Sequence, residues 1–165
     1  MSRELLILRH GESGMKSGAS DFQRVLNDRG VQSVQELGAW MAEHLDAPDR
    51  VLSSSALRAC QTAVGVCSSM GIVESEITFL EELYLASTEI ICKVLSGVPS
   101  NTQRVLLVGH NPGLEDLIEL LLGKTGARTV PVTGLSPATL VQIAINTDWA
   151  GMGEGCGELM QVRRP

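Results

Sequence analysis

Leu5-Leu6-Ile7-Leu8-Arg9-His10-Gly11-Glu12 is the stretch from which the fold is read. Its four consecutive apolar residues show no alternation between an inner and an outer face, so they suit a strand buried on both sides, as in a parallel sheet covered by helices. The run ends in an arginine, a histidine and a glycine. Ligands of open α/β sheets bind beyond the carboxyl ends of strands, so a cation and an imidazole are expected where a ligand would sit.

Outward from this run, short segments rich in Leu, Val and Ile predict strands at residues 4–8, 50–53, 77–80, 104–108 and 139–145, with a weaker one at 158–163. Val34, Leu37, Gly38, Met41 and Leu45 recur at helical spacing and predict a helix over 28–45; residues 56–70 and 112–122 read the same way. For the last helix, Asn111 is the expected N-cap, Pro112 the first helical residue and Gly123 the stop. Strands alternating with helices predict a three-layer α/β/α sandwich with a mostly parallel central sheet. Residues 11–20 and the glycine-rich 151–157 are expected to be mobile, the second as a hairpin link between the final strands.

A chain of 165 residues with 44% hydrophobic content is expected to form a single domain over 1–165. Its 13 Lys and Arg stand against 19 Asp and Glu, a net charge of −6 without a basic run, which argues against a broad grip on nucleic acid. Any anion site must be local. The apolar start is too short for a signal peptide or a membrane span, so a soluble cytoplasmic protein without membrane contact is expected. Four cysteines, Cys60, Cys67, Cys92 and Cys156, lack CxxC pairing and neighbouring histidines; they are expected to be reduced and structural, with no metal site.

A second histidine repeats the position of the first. Val108-Gly109-His110-Asn111-Pro112-Gly113 places His110 at another strand end, just before a helix. Each histidine alone reads equally well as a buried ring bonded to a carbonyl. On neighbouring parallel strands they would share one edge, one as nucleophile and the other as a donor to an oxyanion. His44, within a helix and without a partner in sequence, is given no role.

The segment Ser53-Ser54-Ser55-Ala56-Leu57-Arg58 runs from a strand through a serine turn into a helix, with Arg58 in the first turn. A cation there opposes the helix dipole, and a bound anion would relieve the conflict. Guanidinium forks match phosphate oxygens and stay charged, so Arg9 and Arg58 are candidates to hold a phosphoryl group. The helix after His110 offers main-chain donors; Gly11 and Asn111, beside the two histidines, are candidate substrate contacts. Phosphoryl transfer on such groups rests on positioning and charge, so neither metal nor cofactor is expected. Gly123-Lys124-Thr125 resembles the end of a P-loop, but Ile118 replaces its first glycine and a helix precedes it. The G-x-S-x-G elbow of serine hydrolases is also missing.

Leu8-Arg9-His10-Gly11-Glu12 resembles the signature of the histidine phosphatase (phosphoglycerate mutase-like) superfamily. Residues 53–62 resemble its serine-turn arginine helix and 109–113 its second histidine motif, so the resemblance runs in order over about residues 5–120. The short length and Asp21-Phe22-Gln23-Arg24-Val25-Leu26 look most like the SixA-type phosphohistidine phosphatases, with Val25 where that motif carries proline. The resemblance implies transient phosphorylation of His10, with Arg9, Arg58 and His110 around the phosphate and Arg24 within reach. Mutase-like relatives supply a glutamate proton donor after the third strand, which points to Glu82, with Glu81 adjacent. The implied substrate is a phosphohistidine on a phosphotransfer protein. Two alternatives stay open: a small phosphorylated metabolite, or phosphate recognition without turnover.

Overall fold

Strand β1 (Arg3–Arg9) runs through the middle of a six-stranded sheet in a computed structural model that describes residues 3–15, 18–130 and 134–165. The others are β2 (Arg50–Ser54), β3 (Ile77–Leu80), β4 (Arg104–Gly109), β5 (Leu140–Ile145) and β6 (Gly157–Arg163), in the spatial order β3-β2-β4-β1-β5-β6. Strands β3, β2, β4 and β1 pair in parallel, whereas β5 runs antiparallel to both β1 and β6. The expected α/β sandwich with a mostly parallel sheet is therefore the observed fold.

Helices α1 (Asp28–His44) and α2 (Leu57–Ser69) cover one face, and α3 (Thr88–Ser96) and α4 (Gly113–Gly126) the other. Successive strand residues point to opposite faces. Thus Leu6 and Leu8 pack with Val34, Leu37 and Met41, while Leu5 and Ile7 pack with Leu114, Leu117 and Ile118. Residues 5 to 8 are all 0% exposed, which is why the run is apolar without alternation.

Two expectations about local structure change. Asn111 does not cap α4: the helix begins at Gly113, after a cis Asn111–Pro112 peptide, and the Asn111 amide bonds to Glu115 and to the Leu135 carbonyl instead. Gly123 kinks the helix rather than ending it. With φ 67° it adopts a left-handed conformation that costs a glycine little, and helical geometry resumes to Gly126. Helix α3 was not anticipated from the sequence. Nine residues give a short periodic signal, yet Ser87 caps it by accepting from the Ile90 amide, and Ile91 and Leu95 are buried against the sheet side of the core.

The link between β5 and β6 carries a 3-10 turn at Trp149–Gly151, and the buried Trp149 indole donates to the Thr102 carbonyl at 3.0 Å. Of the loop expected over 11–20, residues 16 and 17 lie outside the described residues; Ser13 forms a bridge to Leu26. Helix α1 starts against this loop. Asn27 accepts from the Gly30 amide, and a methyl group at Gly30 would collide with the Glu12 carbonyl, so glycine there lets α1 approach the chain just beyond His10. Among the described residues, no helix is long and apolar enough to cross a membrane.

Candidate active site

Parallel register brings the two histidines together. Arg9 stands opposite Gly109 across β1 and β4, the His10 amide donates to the Gly109 carbonyl at 3.2 Å, and the His10 and His110 ring centroids lie 5.2 Å apart. Both are buried, at 8% and 4% exposure. Their outer partners differ. Nδ1 of His10 lies 2.7 Å from the Gly11 carbonyl, which can only accept, so Nδ1 carries the proton and Nε2 keeps its lone pair. Nε2 of His110 lies 2.7 Å from the Ser54 hydroxyl, which also accepts from the Ala56 amide at 3.2 Å. Arg58 Nη2 can only donate to Nδ1, so in the free site the hydrogen of His110 sits on Nε2 and is donated to Ser54; the same hydroxyl can instead donate to Nε2, which lets the ring turn an Nδ1–H toward a bound oxyanion.

Arg58 lies between the rings at 3% exposure. Its Nε donates to Nε2 of His10 at 3.3 Å, and its Nη2 stands 3.4 Å from Nδ1 of His110. The far side of the guanidinium is held by Asp21: Nη1 donates to the Asp21 carbonyl at 2.6 Å and Nη2 to Oδ2 at 3.0 Å. Arg24 joins the same carboxylate through Oδ1 at 2.9 Å. Arg9 reaches back from β1 to the Leu135 carbonyl at 2.6 Å, while its buried Nε has no hydrogen-bond partner among the described residues.

Burial and cations set the charges. His10 is pushed down to about 4, chiefly by burial, with the Arg58, Arg9 and Arg24 charges adding to it and the Gly11 carbonyl opposing. His110 falls to about 3 through burial and the nearby His10 and Arg58. Both rings are neutral at pH 7. Asp21 is held at about 2, first by the Tyr84 hydroxyl and then by Arg58, whereas Tyr84 is pushed up by the same bond.

The structure thus gathers Arg9, His10, Arg58 and His110 at one sheet edge, with Arg24 joined to them through Asp21. Gly11 is buried, with its amide bonded to the Thr62 hydroxyl at 2.9 Å. Asn111 braces the start of α4. Glu82 is exposed and lines a groove of about 470 Å³ with Arg50, Leu80, Lys93 and Val98, without a hydrogen bond to the histidines or arginines of the pocket.

Four contributors were not singled out from the sequence: Asp21, Ser54, Thr62 and Tyr84. Three of them lie inside the motifs already quoted, Ser54 at the strand end, Thr62 one helical turn beyond Arg58, and Asp21 three residues before Arg24. Their hydroxyl and carboxyl groups gave no signal beyond that of ordinary turn and surface residues. Tyr84, the chain's one tyrosine, packs edge-on to Phe22 and His110.

The profile of the histidine phosphatase superfamily (branch 1) matches residues 5–89. An uncharacterised protein of Mycobacterium tuberculosis is 28% identical over 162 residues, covering 96% of this chain and 99% of the relative. Among solved structures, a protein proposed to be the phosphohistidine phosphatase SixA of Nakamurella multipartitia superposes with a TM-score of 0.81 and 27% identity, covering 100% of this chain and 97% of its own. A counterpart from Agrobacterium tumefaciens, likewise proposed to be SixA, gives a TM-score of 0.86, 24% identity and coverage of 100% and 99%, a likeness of fold.

Proposed function

This chain belongs to the histidine phosphatase superfamily, and we propose that it hydrolyses phosphoryl groups through a covalent intermediate on Nε2 of His10, acting on phosphohistidine carried by a protein. One observation carries the reading: the Gly11 carbonyl fixes the proton on Nδ1, leaving the Nε2 lone pair facing Arg58 and His110. A neutral imidazole is a nucleophile at pH 7, and burial keeps it neutral.

In the first step, the Nε2 lone pair attacks phosphorus and the bond to the leaving atom breaks. Arg58, Arg9 and the Nδ1–H of His110 neutralise charge on the equatorial oxygens. Because His10 keeps its Nδ1 proton, the phosphorylated ring is a cationic imidazolium. Its Nε2–P bond then breaks under attack by water, with the bonding electrons returning to Nε2 and the water proton leaving to phosphate or solvent. Arg24 would guide an incoming anion from the Asp21 side. These groups complete both steps without a metal.

The leaving group favours phosphohistidine over an ester. A departing alkoxide needs a proton, and the carboxyl group closest to the arginine cluster, Asp21, is already ionised. An imidazole leaves without one when its second nitrogen is protonated. The likeness to proteins proposed to be SixA supports the same substrate class. We further propose that residues 1–165 act as one cytoplasmic domain.

Phosphate release from a phosphohistidine protein and from para-nitrophenyl phosphate, each with excess chelator, tests the reading. Faster release from phosphohistidine, lost in His10→Ala, is the expected outcome. Release from the ester alone would favour a metabolite phosphatase, and phosphate binding without release would favour a recognition module.

A further inference from the structure

Asp21 is placed on the outer side of the guanidinium whose inner edge faces the nucleophile. The Nε of Arg58 points to His10, while both terminal nitrogens bond to Asp21. In-line displacement sends the leaving group away from Nε2 of His10. The Asp21 side chain keeps 46% exposure, so a face of the carboxylate is open to solvent beside the arginine that faces the nucleophile. The Tyr84 hydroxyl and Arg24 hold its two oxygens in place.

We propose that Asp21, pinned by Tyr84, selects nitrogen-linked phosphoryl groups by pairing with the protonated ring of the leaving imidazole while it holds the Arg58 guanidinium with Nε toward the nucleophile. This rests on the proposed phosphatase reaction at His10 and adds the residue that discriminates between substrates. The chemistry balances without an outside proton donor. A phosphoimidazole protonated on its free nitrogen is a cation; the His10 lone pair forms the new N–P bond, the old N–P electrons return to the leaving ring, and a neutral imidazole departs with its proton. A fixed carboxylate favours the cationic form, as it does in other carboxylate–imidazole pairs. For an ester the same charge is a handicap, because it cannot supply a proton and it repels an alkoxide.

Four groups face the carboxylate and share in its effect: Arg24 from its own turn, Arg58 from α2, Tyr84 beyond β3, and His110 from β4 through the Arg58 contact and its own electrostatic interaction with Asp21. Arg58 also needs Asp21 for its orientation, so a loss of activity alone would be ambiguous. Selectivity and pH dependence separate the two roles.

The test compares kcat and KM for phosphoimidazole and para-nitrophenyl phosphate in wild type, Asp21→Asn and Tyr84→Phe. The expected result is a fall of about tenfold or more in the phosphoimidazole-to-ester ratio of kcat/KM for Asp21→Asn, the size of one lost charge-assisted contact. The falling alkaline limb of kcat for phosphoimidazole should move to lower pH, because the bound ring loses its proton more easily. Tyr84→Phe keeps the carboxylate and its ion pairs, and should change the ratio in the same direction by less. Equal losses on both substrates, with the limb unmoved, would overturn the proposal and leave Asp21 as an anchor for Arg58. A wild type that cleaves the ester and not phosphoimidazole would instead overturn the phosphohistidine reading itself, and the selectivity with it.

Discussion

His10 and His110 occupy the same place on neighbouring parallel strands, one residue beyond paired positions, yet they offer opposite nitrogens to the pocket. His10 turns Nε2 inward because its Nδ1 bonds to a carbonyl, and His110 turns Nδ1 inward because its Nε2 bonds to a hydroxyl. A carbonyl dictates where the proton sits, and a hydroxyl with an amide already donating to it can supply one. The lesson is that strand position sets the location of an imidazole, while the atom behind the ring sets its chemistry.

Breaking the nucleophilic side should cost most. His10→Ala is expected to lower kcat by at least about a thousandfold, since the covalent route is removed altogether; a fall of less than tenfold in steady-state phosphate release would remove His10 from that role. Circular dichroism should show the fold retained. On the other side, His110→Ala removes one donor to the transferring group and should cost about a hundredfold in kcat, the scale of a lost oxyanion contact. Equal losses for the two variants would erase the distinction between the rings.

The next change acts behind a ring rather than on it. Ser54→Ala deletes the hydroxyl at Nε2 of His110 and should lower kcat about five- to tenfold, as one hydrogen bond of about 1 kcal/mol would. Nitrogen-15 spectra of His110 report the tautomer directly; an unaltered tautomer in the variant would show that Ser54 does not set it.

Much of this was legible in the sequence because buried parallel strands write themselves as apolar runs, and polar residues at their ends stand out. Leu5 to Leu8, Val105 to Val108 and the residue types just beyond them gave the sheet, the edge and three of the four central side chains, and the serine turn after residues 50–53 gave Arg58. What stayed hidden depends on contacts distant in sequence. Asp21 meets Arg58 across 37 positions and Tyr84 across 63, and no local period announces such a pair. Asn111 had the composition of a helix cap, but the Glu115 carboxylate and Leu135 carbonyl compete for its amide. Helix α3 was missed because its nine residues span little more than two turns, and burial of Ile91 and Leu95 rather than intrinsic propensity sustains it.

Titration sharpens the same comparison. With His10 lowered to about 4 and His110 to about 3, the folded state binds fewer protons than the unfolded chain below its ordinary histidine pKa near 6.5. Stability should therefore fall as pH drops from about 6.5 toward 4, and further toward 3. Denaturant midpoints measured across that range should fall less steeply in His10→Asn and His110→Asn. An equally steep decline in both variants would assign the acid sensitivity elsewhere. The smallest effect is expected at Glu82, which lines the separate groove: Glu82→Gln should leave kcat for an alkyl phosphate ester, whose leaving group needs a proton, within about twofold, well below the loss from removing a general acid.

The most direct measurement is to quench the enzyme during turnover of a phosphoimidazole or phosphohistidine substrate, under alkaline conditions that preserve N–P bonds, and to locate the trapped phosphoryl group by mass spectrometry and phosphorus NMR. The group should be found on His10 as the Nε2-linked isomer, because the Gly11 carbonyl blocks Nδ1. A phosphoryl group on Nδ1, on His110, or on another residue that turns over at the steady-state rate would contradict the assignment of His10 Nε2 as the nucleophile.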